Sequence, residues 1–266
     1  NMNEFIVTTS IKKMLKLKKR RRVIQGGSSS GKTFGIIPIL IDIAIKTPQK
    51  EISIVSESVP HLRRGAMKDF LKIMIMTGRY EANKFNKSIM KYTFSNGSYI
   101  EFFSVDDESK LRGARRNILY MNEANNISFE SYQQLAIRTS DTIWIDYNPS
   151  ASFWAHSELL PLDDTDFLIT TYKDNEALPQ SIVDELESAR EKGKTSKYWA
   201  NYWRVYGLGL IGSLEGACIP DWSEIESIPE GAKLLGAGLD FGYTNDATSI
   251  ITMYKYNNAY IYNEVV

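Results

Sequence analysis

A short segment rich in glycine and serine carries the clearest chemical pattern in this sequence. It fits G-x-x-x-x-G-K-S/T at every position and consists of Gly26, Gly27, Ser28, Ser29, Ser30, Gly31, Lys32 and Thr33. Glycines allow the backbone to turn successive N–H groups toward phosphate oxygens, and the helix expected to follow adds its positive end. The amine of Lys32 would reach the outer phosphates and the hydroxyl of Thr33 would bind Mg²⁺. The pattern therefore predicts a nucleotide-phosphate site.

A second polar pair, Asn122 and Glu123, follows the apolar run 118–121. Asn122 stands where such a site usually has an aspartate that steadies Mg²⁺. Its carbonyl oxygen could hold a metal-bound water but brings no charge. Glu123 is placed to orient and deprotonate an attacking water as a general base. The alternative is that the pair only ends a strand.

The third expected part is an arginine that meets the charge developing on the transferred phosphoryl group. Arg112 is the first candidate because it precedes the 118–121 run and lies beside Gly113. A solvated basic loop or a DNA contact explains Arg112 equally well. Arg138, at the end of the next predicted helix, is a second candidate, unless it only complements the helix dipole.

These residues need a scaffold that brings strand ends together. Helix-type runs at 32–46 and 61–76 alternate with β-type runs, which lie at 23–25, 52–56, 118–121, 142–147 and 167–171. This alternation predicts an α/β domain with a largely parallel sheet. The runs 91–94 and 99–104 flank an Asn-Gly pair, which predicts a hairpin.

The stretch 211–232 is rich in glycine and proline and predicts a linker between two domains. Residues 1–210 would form the first domain, with 179–206 as its helical C-terminal part. Residues 233–266 would be the truncated start of the second, because three strands without a covering helix cannot bury a sheet.

Composition restricts the function classes. The 266 residues include 32 basic and 32 acidic side chains, so overall charge does not indicate nucleic-acid binding. The one clear basic run, 12–22, is interpreted as a solvated helix face or flexible arm, with DNA contact as a second possibility. The single cysteine, Cys218, excludes an internal disulfide, and a zinc site is not expected from two histidines. No run approaches the roughly 20 apolar residues of a membrane span, and we predict a cytoplasmic protein.

Several motifs occur in an order that resembles the large terminase subunits of tailed bacteriophages. They are Gln25 through Thr33, Leu111-Arg112-Gly113, Asn122-Glu123-Ala124-Asn125 and Asp146-Tyr147-Asn148-Pro149. The segment 238–246 resembles the opening strand of that family's RNase H-like nuclease. The resemblance implies an α/β fold, with a RecA/ASCE-like P-loop NTPase domain followed by the first strands of an RNase H-like domain.

The resemblance also implies an activity and partners. The protein would hydrolyse ATP with Mg²⁺ and drive double-stranded viral DNA into a procapsid in the host cytoplasm. It would act as a ring of copies on a portal protein, together with a small terminase subunit. Glu123 would be the base and Arg112 would act across a subunit boundary. Asn148 would lie in the segment that couples hydrolysis to movement, unless it only forms a turn, and Gln25 would contact adenine.

Asp240 resembles the first metal ligand of the nuclease, which would use Mg²⁺ or Mn²⁺. The other ligands would lie on later strands, so we expect that only a longer parent chain cuts concatemeric DNA. Asp246 is interpreted as a turn cap and Glu264 as facing solvent.

The sequence departs from the family pattern in two ways. Serines occupy 28–30, where many relatives carry an arginine, which favours Arg112 for that role. Asn122 predicts weaker Mg²⁺ binding than aspartate would give. Two alternatives stay open: another ATP-driven DNA helicase or translocase, which has no reason to append the Asp240 motif, and a nucleotide-binding scaffold without turnover, which Asn122 would favour.

Overall fold

The computed structural model describes residues 5–111, 113, 115–212, 223, 225–240, 249–257 and 259–264. The chain divides into two compact units, Asn1–Gly216 and Ala217–Val266. Half of the predicted linker, like Asp246 and Cys218, lies outside the described residues. Across the described part of the chain, every helix is too short or too polar to cross a membrane.

The first unit contains eight strands and eight α-helices among its described residues. The strands are β1 (Arg21–Gly26), β2 (Glu51–Ser56), β3 (Phe85–Asn86), β4 (Lys91–Thr93), β5 (Tyr99–Ser104), β6 (Arg116–Met121), β7 (Thr139–Tyr147) and β8 (Thr165–Thr170). The helices are α1 (Thr9–Met14), α2 (Lys32–Lys46), α3 (Val59–Arg64), α4 (Ala66–Met76), α5 (Glu108–Leu111), α6 (Phe129–Ala136), α7 (Gln180–Lys192) and α8 (Lys197–Tyr202). Helix α2 has the predicted bounds.

All eight strands form one sheet in the order β3-β4-β5-β2-β6-β7-β1-β8. The strands from β5 to β8 in this order pair in parallel, whereas β3 and β4 extend the β5 edge in antiparallel fashion. Parallel strands joined by helices need both faces covered. The predicted α/β fold with a mostly parallel sheet is therefore confirmed.

Two hydrophobic clusters cover the two faces of this sheet. Successive strand residues point to opposite faces, so neighbours along a strand belong to different clusters. Ile24 and Ile54 pack with residues of helices α1, α2, α3 and α4 in one cluster. Val23 and Val55 pack with residues of α6 in the other cluster. The sheet is thus buried on both sides, and its strand ends form the accessible edges.

The predicted hairpin is confirmed between β4 and β5. Phe94 N–H donates to the carbonyl oxygen of Ser98 at 2.8 Å, and Gly97 turns with φ +84°. Such a φ angle is strained for residues with a Cβ, which explains the glycine.

The helix predicted over 61–76 is two helices. Gly65 separates α3 from α4 with φ −100° and ψ −108°, which are not helical values. A Cβ built on Gly65 would lie 3.4 Å from Oδ1 of Asn122 and 3.2 Å from the carbonyl oxygen of His61. The break therefore brings α3 close to the polar end of β6.

The basic run 12–22 is not a single solvated face, which corrects the interpretation made from the sequence. Its first part forms α1 and its last residues enter β1. Arg20 donates to the carbonyl oxygens of Ala136 and Thr139, and Arg21 pairs with Asp164. These contacts tie the run to the ends of neighbouring strands, so part of its charge serves the fold.

The second unit is considered by itself. Its described residues form strands β9 (Lys233–Asp240), β10 (Ser249–Tyr256) and β11 (Ala259–Glu264), which pair in the antiparallel order β11-β10-β9. Asp240 ends β9, and its side chain lies outside the described residues. Glu264 is exposed at the end of β11, as expected.

Candidate functional site

The carboxyl ends of three adjacent parallel strands bring the predicted site together. Strand β7 lies between β6 and β1. Strand β1 leads into the glycine- and serine-rich segment 26–33, hereafter the phosphate loop. Strand β6 leads into Asn122 and Glu123, and β7 ends just before Asn148. Parallel sheets of this kind bind ligands at the carboxyl ends of their strands.

The phosphate loop is packed too closely for side chains at its first two positions. A Cβ on Gly26 would lie 2.3 Å from the carbonyl oxygen of Thr170, and one on Gly27 would lie 2.2 Å from that of Tyr206. Gly31 adopts φ +77° and is the N-cap residue of α2. The end of β8 and the helical C-terminal part therefore hold the loop against the start of α2.

Lys32 links the phosphate loop to the end of β7. Its buried amine donates to the carbonyl oxygens of Gly26 at 2.6 Å and Gly27 at 2.9 Å, and to Oδ1 of Asn148 at 2.8 Å. The amide nitrogen of Asn148 donates to the Ser28 hydroxyl at 3.2 Å. Asn148 thus contacts the loop at two points, Lys32 and Ser28.

Burial lowers the pKa of Lys32 to about 8, although the negative charges of Asp146 and Glu123 act in the opposite direction. An amine with this pKa is partly neutral in mildly alkaline solution, whereas a bound phosphate favours its charged form. When the pH is above the pKa of Lys32, binding of a phosphate ligand should therefore be accompanied by the uptake of a proton by the amine.

The affinity for ADP is expected to fall as pH rises above about 8, the pKa of Lys32. The limiting slope is about tenfold per pH unit, because one proton is taken up per ligand bound. Calorimetry of ADP binding in buffers of different ionisation enthalpy measures this uptake directly. The variant Lys32→Arg keeps its charge at these pH values, so any affinity it retains should not fall; an equal fall in both proteins would contradict the assignment.

Asp146 is at the centre of a buried network beside Thr33. Its side chain is only about 1% exposed. Oδ1 accepts hydrogen bonds from the Tyr120 hydroxyl at 3.1 Å, from Nδ2 of Asn122 at 3.0 Å and from the backbone N–H of Glu123 at 3.1 Å. Oδ2 accepts a longer hydrogen bond from the Thr33 hydroxyl at 3.4 Å. A carboxylate therefore lies beside the residue predicted to bind Mg²⁺.

Asn122 turns its NH₂ group toward Asp146. Its Nδ2 donates to Oδ1 of Asp146 at 3.0 Å, since carboxylate oxygens accept hydrogen bonds. The same nitrogen donates to the Thr33 hydroxyl at 3.2 Å. The carbonyl oxygen, predicted to hold a metal-bound water, instead accepts from the Ser56 hydroxyl at 3.3 Å.

Glu123 extends into solvent from a strained backbone. Its φ angle is +57°, which is uncommon for a residue with a side chain and recurs at functional sites. The side chain is 51% exposed, and its Oε2 lies 3.9 Å from Nδ1 of His61 on α3. The strained turn thus presents a carboxylate where water can reach it.

A cavity of about 740 Å³ opens beside the phosphate loop, a volume in the range of small-molecule sites. It is lined by Ile6, Ser28, Ser29, Gly31, Lys32, Thr33, Phe34, Asp69, Lys72, Met76, Asn175, Ala177, Leu178 and Ile182. The Phe34 ring in this lining stacks on Phe5 and lies under the amine of Lys72. Asn175 donates to the Ser29 carbonyl oxygen at 3.0 Å.

Gln25 does not line this cavity, contrary to the adenine contact expected of it. It is 2% exposed, and its Nε2 donates to the carbonyl oxygen of Gly209 at 2.7 Å. Its Oε1 accepts from the Tyr147 hydroxyl at 2.8 Å. With both ends of its amide engaged, Gln25 connects β1 and β7 to the segment after the helical part.

Of the two candidate arginines, the structure describes Arg138, whereas Arg112 lies outside the described residues. Arg138 directly precedes β7, at the opposite edge of the sheet from Asn148. Crossing β7 at about 3.3 Å per residue takes more than roughly 25 Å, so Arg138 does not reach the phosphates of its own subunit's site.

Two residues near this edge were not singled out from the sequence as site residues. Asp146 was visible only as part of a family motif, and its spacing of two residues from Asn148 was the available signal. His61 gave no signal, because its approach to Glu123 depends on the break at Gly65.

A sequence model of the family described as phage terminase large subunit matches residues 18–209. No curated protein sequence matches the chain.

Solved structures with the same fold include large terminases. That of a thermophilic bacteriophage superposes with TM-score 0.67 at 19% identity, covering 98% of this chain and 68% of that chain. The complex of the same phage's enzyme with ADP gives TM-score 0.64 at 17% identity, covering 97% and 68%. The ATPase domain of the Thermus phage P74-26 large terminase gives 0.55 at 14% identity, covering 76% and 92%. Since the family model matches well over half of its length, the chain belongs to the phage terminase large subunit family.

Proposed function

We propose that this DNA-packaging ATPase hydrolyses ATP at the carboxyl edge formed by β1, β6 and β7. The observation that carries the proposal is the link between the phosphate loop and β7, in which Lys32 donates to Asn148 and Asn148 donates to Ser28. Gly26, Gly27, Ser28, Ser29, Ser30, Gly31, Lys32 and Thr33 would cradle the phosphates. The base would occupy the cavity between Phe34 and Ile182 rather than contact Gln25.

The residues beside Thr33 fit the hydrated Mg²⁺ that accompanies ATP in such sites. The oxygens of the Thr33 hydroxyl and the Asp146 carboxylate are metal ligands of the kind that Mg²⁺ prefers. Bound there, Mg²⁺ would neutralise charge on the phosphates during transfer. Asn122 would position the Thr33 hydroxyl and the Asp146 carboxylate through hydrogen bonds from its NH₂ group.

Glu123 would take a proton from the attacking water. Its exposed carboxylate can accept that proton, while the hydrogen bond from its backbone N–H to Asp146 fixes the strained turn. Lys32 would hold the outer phosphates. Arg112 would approach from a neighbouring copy and meet the charge on the transferred group.

Asn148 would couple phosphate binding to movement. A phosphate that takes the Lys32 amine competes with Asn148 for it, which alters the contact at the end of β7. The next residue, Pro149, accepts a hydrogen bond through its carbonyl oxygen from the N–H of Gly212 at 2.9 Å. A change at Asn148 would therefore reach the last described residue of the first unit.

In the phage, we infer that the partners are double-stranded DNA, the portal protein, the small terminase subunit and other copies of this chain in a ring. The setting would be the host cytoplasm. Residues 233–266 would begin the RNase H-like nuclease domain, after the linker 211–232, and Asp240 would be its first ligand for Mg²⁺ or Mn²⁺.

A mixing experiment tests hydrolysis by a ring. The ATPase rate per subunit should rise with protein concentration and fall in both Arg112→Ala and Glu123→Gln. A mixture of these two inactive variants should regain activity, because a Glu123→Gln subunit supplies Arg112 to the intact Glu123 of its neighbour. The exposed Arg115 provides the matched control, and Arg115→Ala should keep the wild-type rate.

Two results would contradict this assignment. A mixture no more active than its components would mean that Arg112 does not act across the subunit boundary. The wild type could bind ADP in a separate assay and still hydrolyse no ATP at any protein concentration, even with DNA and portal protein added. That result would mean a nucleotide-binding protein without turnover.

A further inference from the structure

The charge missing at Asn122 is present one strand away. In the sheet order, β7 lies between β6, which ends before Asn122, and β1, which leads into the phosphate loop. Asp146 is the next-to-last residue of β7 and is paired in register with Ile24 of β1. Its carboxylate thus lies between the two elements that enclose a phosphate-bound cation in this fold.

The two oxygens of Asp146 have different surroundings. Oδ1 accepts from Tyr120, Asn122 and Glu123, which fixes the orientation of the carboxylate. Oδ2 has only the 3.4 Å contact with the Thr33 hydroxyl among the hydrogen bonds of the described residues. A buried carboxylate oxygen with spare lone pairs is well suited to a cation or to water bound to one.

Among the polar residues at the ends of β6 and β7, Asp146 is the one that offers a buried carboxylate. Asn122 is neutral and turns its NH₂ toward Thr33 and its carbonyl oxygen toward Ser56. Glu123 is about half exposed and extends toward His61. Of the two carboxylates that raise the pKa of the Lys32 amine, Asp146 has the larger effect and Glu123 the smaller.

We propose that Asp146 supplies the carboxylate that holds nucleotide-bound Mg²⁺, the role that an aspartate at position 122 would have. Asn122 then acts as a positioning residue, whose NH₂ holds Asp146 and the Thr33 hydroxyl together. Metal binding at the site therefore does not suffer from the loss of charge at position 122. This inference rests on the proposed function of the phosphate loop, because it concerns the cation that accompanies the nucleotide.

The test measures Mn²⁺ bound to the protein–ADP complex by electron paramagnetic resonance. Asp146→Asn should weaken Mn²⁺ binding about tenfold or more, in line with the loss of a residue that supports a metal site. The double variant Asn122→Asp with Asp146→Asn moves the carboxylate back to β6 and should restore most of that affinity. Asp141→Asn, on the same strand but ion-paired with Lys50 at its far end, is the matched control and should bind Mn²⁺ like the wild type.

ADP binding in EDTA separates loss of the metal from loss of the pocket. It should be similar in the wild type, Asp146→Asn and the double variant. Unchanged Mn²⁺ affinity in Asp146→Asn would overturn the proposal, as would a double variant that binds ADP in EDTA normally without regaining Mn²⁺. If Asp146→Asn fails to bind ADP in EDTA but the double variant binds it, the double variant decides alone, and its failure to bind Mn²⁺ counts against the proposal. Failure of the wild type to bind ADP would instead refute the proposed function.

Discussion

Glu123→Gln is expected to reduce ATP turnover by a factor of about 10² to 10⁴, the usual contribution of a general base. The amide of glutamine cannot accept the proton of the attacking water at neutral pH. ADP affinity should change little, because Glu123 contacts the network of Asp146 through its backbone N–H, which the substitution retains. The strained turn at φ +57° is also independent of the side chain.

The measurement is the single-turnover rate of ATP hydrolysis, with nucleotide affinity determined separately. Glu130→Gln is the matched control, since Glu130 lies in the first turn of α6 and contacts Gln134 at the surface. It should hydrolyse ATP at the wild-type rate. A Glu123→Gln protein that keeps wild-type turnover would assign the base to another group and would leave the strained turn without a catalytic explanation.

Lys32→Met should abolish the thermal stabilisation that ADP gives the wild type, while the free protein should lose a few kcal/mol of its free energy of unfolding. The reason is a balance at a buried charge. The pKa of the amine falls from its ordinary 10.5 to about 8, which corresponds to roughly 3 kcal/mol of cost for burying the charged form. Methionine removes that cost, but it leaves Asn148 and two carbonyl oxygens without their donor, at about 1–3 kcal/mol for each buried group.

Thermal melts with and without ADP measure both halves of this prediction. Lys46→Met, at the other end of α2, provides the control, because its amine is exposed and pairs with Asp42 one turn earlier. That variant should retain the full ADP-induced shift. A Lys32→Met protein that ADP still stabilises as much as the wild type would show that the amine does not contact the phosphates.

The sequence alone determined the local chemistry and the class of fold. The phosphate loop was recognisable because close backbone contacts and the positive φ of Gly31 require glycine at fixed positions. These positions are close together in the sequence, so they form a motif that can be read without the structure. The hairpin at Gly97 and the bounds of α2 followed for the same reason. The alternation of strands and helices predicted the parallel sheet, since each strand needs apolar residues on both faces.

The tertiary structure decided which polar groups meet across strands. That Asn122 offers its NH₂ rather than its carbonyl oxygen depends on Asp146, which is far from it in sequence and adjacent only because β6 and β7 pair. Tertiary contacts likewise engage Gln25 with Gly209, and the sheet places Arg138 at its distant edge. Hydrogen bonds between strands follow register and sheet order, which periodicity along one segment does not encode, so the charge at Asp146 became visible only once the strands were in place.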